Sequence, residues 1–219
     1  MSAAADDELR TVLRRSQRLG YIGGTDLERH IDHALGFADA VGEAPEQALD
    51  LGSGGGLPGL VLARRWLESS WVLLDGSQTR TTFLDHAVRE LGLEDRVTVV
   101  RGRAEEVGHE ASRRQAFDLV VARSFGPPAV VAECAAPFLR IGGTLVVSEP
   151  PETGDRWAFP NELADLGMER RALAADGEPG AAAGPSDVGS YAALTQVAVC
   201  PARYPRRVGI PAKRPLFGS

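Results

Sequence analysis

Apolar residues recur first at helical spacing. Leu9, Val12, Leu13 and Leu19 form a stripe that ends at Gly20. Ile31, Leu35 and Ala38 form a second stripe behind a Thr25 or Asp26 cap. After Pro45 the pattern changes. Short, nearly continuous apolar runs predict strands over Ala48–Leu51, Trp71–Asp75, Val97–Val100 and Phe117–Ala122, with a fifth over Thr144–Val147 after a Gly142-Gly143 turn. Between them, helices are predicted over Leu57–Trp66, Gln78–Leu91 and Pro127–Leu139, with Pro58 tolerated in a first turn. Strands apolar on both faces, alternating with helices, predict a parallel α/β sheet covered on both sides. Further on, residues 161–166 read as a helix, residues 176–190 as a Gly/Ala/Pro/Ser loop and residues 191–200 as a last strand closing a terminal hairpin. Residues 1–44 are a helical extension, 45–200 the main domain and 201–219 a basic tail.

The first predicted strand runs into Asp50-Leu51-Gly52-Ser53-Gly54-Gly55-Gly56-Leu57-Pro58-Gly59. Glycines at 52, 54 and 56 allow positive φ and close approach of a ligand to the backbone. The following helix turns its free N–H groups toward that ligand, in the crevice at the carboxyl ends of the strands. A dinucleotide turn has G-x-G-x-x-G spacing, and a carboxylate at Asp50 would repel a pyrophosphate. The same carboxylate would attract an amino-acid ammonium or a sulfonium, which favours S-adenosylmethionine. Asp75 ends the second strand, where an acid can bind ribose hydroxyls. Ala104 and Glu105 follow the third strand, and the fourth delivers Ala122-Arg123-Ser124 into the same crevice.

Composition narrows the classes. With 43% hydrophobic residues the chain can bury an ordinary core. It has no apolar run of about 18 residues and no secretion-type leader, so a cytoplasmic location without membrane contact is expected. Cys134 and Cys200 form no CxxC pair. His30 and His33 have no evident third ligand, so no metal is expected. A net charge of −6 argues against a surface that grips nucleic acid all round. Yet Arg203, Arg206, Arg207, Lys213 and Arg214 meet no acid in the tail, and Arg10, Arg14, Arg15 and Arg18 share the first helix.

These motifs resemble the small-subunit ribosomal RNA guanine-N7 methyltransferases, also called glucose-inhibited division protein B. The matching pieces are the Asp50–Gly59 turn with its Pro58-Gly59, the Leu74-Asp75-Gly76-Ser77 to Phe83-Leu84 segment, Arg103-Ala104-Glu105, the Phe117–Phe125 strand end and the tail from Arg203 to Leu216. His30-Ile31-Asp32 is similar to the family's N-terminal helix more loosely. The resemblance implies a Rossmann-like class I methyltransferase fold, with a seven-stranded, mostly parallel sheet and helices on both faces. It also implies methylation of guanine N7 in ribosomal RNA or the small ribosomal subunit, with S-adenosylmethionine as cofactor. Asp50, Gly52, Ser53, Gly54, Gly56, Leu57, Asp75, Ala104, Glu105 and Arg123 are then the expected cofactor contacts, and Arg123 the catalytic residue at the RNA side. The chain departs from the family in a shorter N-terminal region. It also has Ser148-Glu149-Pro150-Pro151 where the family has Lys-Gly, a reversal of charge.

Guanine N7 carries a free lone pair and needs no general base. Alignment and electrostatics are then the main catalytic demands, and the lack of a paired-carboxylate or Ser/His/Asp constellation is consistent with this. Arg123 could hold a phosphate or O6; a salt bridge to Asp118 is its purely structural alternative. Glu149 keeps a small-metabolite methyltransferase open as a second reading, and an inactive RNA-binding relative is a third.

Overall fold

A computed structural model describes residues 3–150, 155–172 and 190–218. Seven strands form one sheet in the order β3-β2-β1-β4-β5-β7-β6. They are β1 (Gln47–Leu51), β2 (Ser70–Asp75), β3 (Val97–Arg101), β4 (Phe117–Ala122), β5 (Leu139–Glu149), β6 (Met168–Arg171) and β7 (Ser190–Gln196). The first five are parallel, and β7 runs antiparallel to β5 and β6. The chain order reverses between β1 and β4, and that switch point opens the crevice at their carboxyl ends.

One face of the sheet is covered by α1 (Ala3–Arg18), α2 (Leu27–Val41), α3 (Gly59–Arg65) and α4 (Gln78–Glu90). Leu13, Phe37, Leu60 and Leu84 fill that layer. The other face carries α5 (Ala104–Val107), α6 (Pro128–Ala135), α7 (Pro160–Asp165) and α8 (Ile210–Lys213), around Val131, Phe138, Leu163 and Phe217. The α2 stripe buries Ile31, Ala34, Phe37 and Ala38, and Asp26 caps it by accepting from the Arg29 N–H. Residues of both terminal segments, Leu13 and Phe37 among the first and Tyr204 and Phe217 among the last, belong to the two core layers. Among the described residues no helix is long and apolar enough to cross a membrane.

Several expectations are corrected in detail. Gly142-Gly143 lies inside β5 rather than before it. Phe117 pairs with Leu139 and Leu119 with Thr144, so β5 bulges there, and Gly142 takes φ +86°. Pro58 is the N-cap of α3 rather than part of its first turn. Helix α6 stops at Ala135, and β7 ends at Gln196, leaving Val197 and Val199 exposed. The strand β6 has no apolar signature, since only Met168 of its four residues is buried. Of the predicted 176–190 loop, residues 176–189 lie outside the described residues.

Candidate functional site

The glycine turn is held from both sides. The N–H groups of Gly52 and Ser53 donate to the Leu74 carbonyl at 2.8 and 3.0 Å. The Asp75 carboxylate accepts from Gly54 N–H at 2.9 Å and from Ser77 N–H at 2.8 Å, with the Arg80 guanidinium 3.7 Å away. Gly52 sits at φ +76°, and a Cβ there would lie 2.6 Å from the Phe125 ring. This cradle is built for a ligand to pass against bare backbone.

Two cavities flank Gly52. The first, about 220 Å³, is lined by Leu51, Asp75, Gly102, Ala104, Glu105, Phe125 and Cys134, with Ala212 from the C-terminal segment. The second, about 230 Å³, is lined by Ile22, Gly52, Ser53, Gly54, Leu57, Arg80 and Arg123. An open cleft of about 760 Å³ adjoins both and shares the Arg123–Pro127 segment with them. Ser124 in that segment is a non-glycine residue at φ +54°, the kind of backbone strain that collects at ligand sites.

Eight of the ten expected cofactor residues line these two cavities: Gly52, Ser53, Gly54, Leu57, Asp75, Ala104, Glu105 and Arg123. Gly56 does not. It holds φ +97°, and a Cβ there would meet Leu60 at 2.4 Å, so it serves helix packing.

Asp50 does not line either cavity. Its carboxylate is fully buried and turned toward α3, where Oδ2 accepts from Gly59 N–H at 2.9 Å while Oδ1 has no partner. Burial pushes its pKa up to about 7, against the pull of the Gly59 N–H. The folded protein therefore keeps a proton that the unfolded chain releases near its ordinary value of 3.8. This stability is present below that value and is lost as pH rises toward 7. Asp50→Asn keeps an acceptor for Gly59 and removes the ionisation. Its stability relative to the parent is expected to improve by about 1–3 kcal/mol between roughly pH 5 and pH 8. Denaturant titrations of both proteins at the two pH values check this, and a difference independent of pH would refute it.

Glu105 is held rather than free. Its Oε1 accepts from Gly209 N–H at 3.0 Å and from Arg103 at 3.2 Å. Burial alone would raise its pKa, but these donors outweigh it and hold the carboxyl below its ordinary value. Arg123 lines both the second cavity and the cleft. Its Nη2 donates to His30 Nδ1 at 2.7 Å, while Nη1 is buried with no partner. Burial lowers its pKa, opposed by Asp50. It makes no bridge to Asp118, which instead takes the Glu46 and Gln47 N–H groups and Arg140.

The reversed charge at Glu149 is neutralised in place. Its carboxylate accepts from Arg156 at 3.2 Å and from the Trp157 indole at 3.0 Å, and Arg156 also lines the cleft. Arg29 and Arg123 add two further cations to that cleft. Sequence reasoning missed Phe125, Arg156, Ala212 and the use made of His30. Only Phe125 carried a local signal, as part of the strand-end motif.

The basic tail is folded back rather than extended. Arg206 forms a bidentate pair with buried Glu133, through Nε at 2.8 Å and Nη2 at 2.6 Å. Arg114 donates to the carbonyls of Cys200, Pro201 and Tyr204. Arg207, Lys213 and Arg214 remain exposed.

Residues 23–153 match the family model described as rRNA small subunit methyltransferase G. The chain is 35% identical over 190 residues to the ribosomal RNA small subunit methyltransferase G of Roseiflexus castenholzii, covering 86% of this chain and 79% of that protein. It is 35% identical over 204 residues to the same-named protein of Syntrophomonas wolfei, covering 87% and 86%. The fold is similar to an O-methyltransferase from Bacillus cereus solved in complex with SAH, with a TM-score of 0.57, 15% identity and coverage of 86% and 90%. With the glycine cradle, Asp75 and Arg123 in place, these similarities make the chain a member of the rRNA small subunit methyltransferase G family.

Proposed function

We propose that this protein transfers a methyl group from S-adenosylmethionine to guanine N7 in small-subunit ribosomal RNA, on cytoplasmic ribosomes. One observation carries the reading furthest. The two cavities at the glycine turn share one short segment with the open cleft, Arg123 and Ser124 lining the second cavity and Phe125–Pro127 the first. At about 760 Å³ the cleft is large enough to admit a nucleotide, within the ~300–1,000 Å³ common for ligand sites.

The residues fit the cofactor. Asp75 lines the first cavity with carboxylate lone pairs left over for ribose hydroxyls. Ala104, Phe125 and Cys134 offer an apolar wall for a base. The cradle at Gly52–Gly54 suits the charged amino-acid end. S-adenosylmethionine supplies an electrophilic methyl on its sulfonium. The chain's own part is to hold the acceptor in line and to exclude water. No residue has to remove a proton, because N7 attacks through its lone pair. Arg123 is suited to hold O6 or a phosphate beside the transfer point. Arg29 and Arg156 suit backbone phosphates at the mouth of the cleft.

Glu149, bonded to Arg156 and Trp157, no longer argues for a small-metabolite acceptor. Labelled S-adenosylmethionine incubated with small ribosomal subunits, free RNA or metabolite extract tests the assignment. Label in the subunits or RNA is expected. Label in the extract alone overturns the acceptor, and no cofactor binding by calorimetry overturns the whole reading.

A further inference from the structure

His30 sits in the first turn of α2, half-buried, with a different partner on each ring nitrogen. Its Nε2 lies 2.5 Å from the Gly23 carbonyl, and its Nδ1 lies 2.7 Å from Arg123 Nη2. A carbonyl only accepts, so Nε2 carries the hydrogen. A guanidinium only donates, so Nδ1 is bare. Both contacts hold together in one tautomer of the neutral imidazole and in no other state. The loop is shaped for this. Gly24 takes φ +76°, and a Cβ on it would stand 3.2 Å from His30 Nε2. The bond to His30 uses one end of the guanidinium and leaves Nη1 buried and unpartnered, on a side chain that lines both the second cavity and the cleft.

We propose that His30 is a positioning residue for methyl transfer: anchored by the Gly23 carbonyl, its bare Nδ1 fixes the Arg123 guanidinium at the transfer point. The proposal rests on the role given to Arg123 above. It explains why a histidine with no evident metal-binding partner faces an arginine, a pairing that has no value as an ion pair. His33, one turn further on, does not share the role. Burial and then Arg123 lower its pKa to about 4, and its ring packs against Phe37 and Tyr191.

Amide replacements separate the two ring contacts. The Asn Oδ1 falls where Nδ1 stands and preserves the acceptor for Arg123. The Gln amide falls where Nε2 stands and preserves only the contact to Gly23. Single-turnover methyl transfer to small ribosomal subunits is measured for His30→Asn, His30→Gln and His30→Phe, with cofactor Kd by calorimetry and Tm by circular dichroism. His30→Gln and His30→Phe are expected to react on the order of tenfold slower, with Kd changed by less than about twofold, while His30→Asn stays near the parent rate. A parent-like rate in His30→Phe, or equal losses in all three, overturns the proposal. Imidazole nitrogen chemical shifts of the parent protein give a readout independent of activity, and a hydrogen on Nδ1 also overturns it. If the parent protein methylates no RNA while its shifts report hydrogen on Nε2, the functional reading fails and the His30–Arg123 arrangement stands.

Discussion

Arg123→Ala is expected to slow methyl transfer by about two orders of magnitude while weakening cofactor binding only a few-fold. The asymmetry follows from where the side chain lies. The cofactor cavities keep Asp75, the Gly52–Gly54 cradle and the apolar wall of Ala104 and Phe125 when Arg123 is cut back. What is lost is the one guanidinium, among the described residues, that lines both the second cavity and the cleft, along with its unpartnered Nη1. A donor fixed in a half-buried site acts with little water to screen it, so its removal falls on the transfer step. The truncation also takes a cation away from buried Asp50, whose pKa Arg123 helps to hold down. The variant should therefore hold the Asp50 proton to higher pH than the parent. Single-turnover rates and calorimetric Kd values measured together check the split, and equal losses in both would end the catalytic assignment. Arg123→Lys keeps the charge but not the planar fork that meets His30, and should recover only part of the rate.

The part of the candidate site around the glycine turn was legible because its determinants are local. An acid, three glycines at alternate positions and Pro58-Gly59 lie within one turn, and Asp75 ends the next strand. The structure keeps that logic but changes the use of two residues. The charge at Asp50 speaks for the cofactor in sequence, whereas in the fold the carboxylate is caught by the first helical N–H at Gly59. Gly56 reads as a ligand glycine, and in the fold it also lets Leu60 pack against bare backbone. The acceptor side was less legible because its contacts join distant positions. Arg123 meets His30 across 93 residues, a pairing no periodicity can carry. Glu149 reads as a reversed charge because its partners, Arg156 and Trp157, come from the next segment. The polar strand β6 was hidden for a related reason: an edge strand with one buried residue has no alternation to detect.

The tail shows the same limit with a larger energetic consequence, and it yields the second strong expectation. Arg206→Ala should lower stability by about 3 kcal/mol, or roughly 10 °C in Tm for a chain of this size. Glu133 is fully buried, and its two carboxylate oxygens are met by the Arg206 backbone N–H, Nε and Nη2. Removing the guanidinium strands a charge in the core, which costs far more than a surface ion pair contributes. The chain has a cheaper response than global unfolding: release of the C-terminal segment, which would let water reach Glu133. That segment donates the Gly209 N–H to Glu105 and places Ala212 on the wall of the first cavity. Arg206→Ala should therefore weaken cofactor binding as well, and excess cofactor should restore part of the lost Tm, because ligand binding favours the closed form. Adding Glu133→Gln in the same chain removes the stranded charge and should recover much of the stability. If the single variant melts like the parent, or the double variant is no better than the single, the pair is not what anchors the tail.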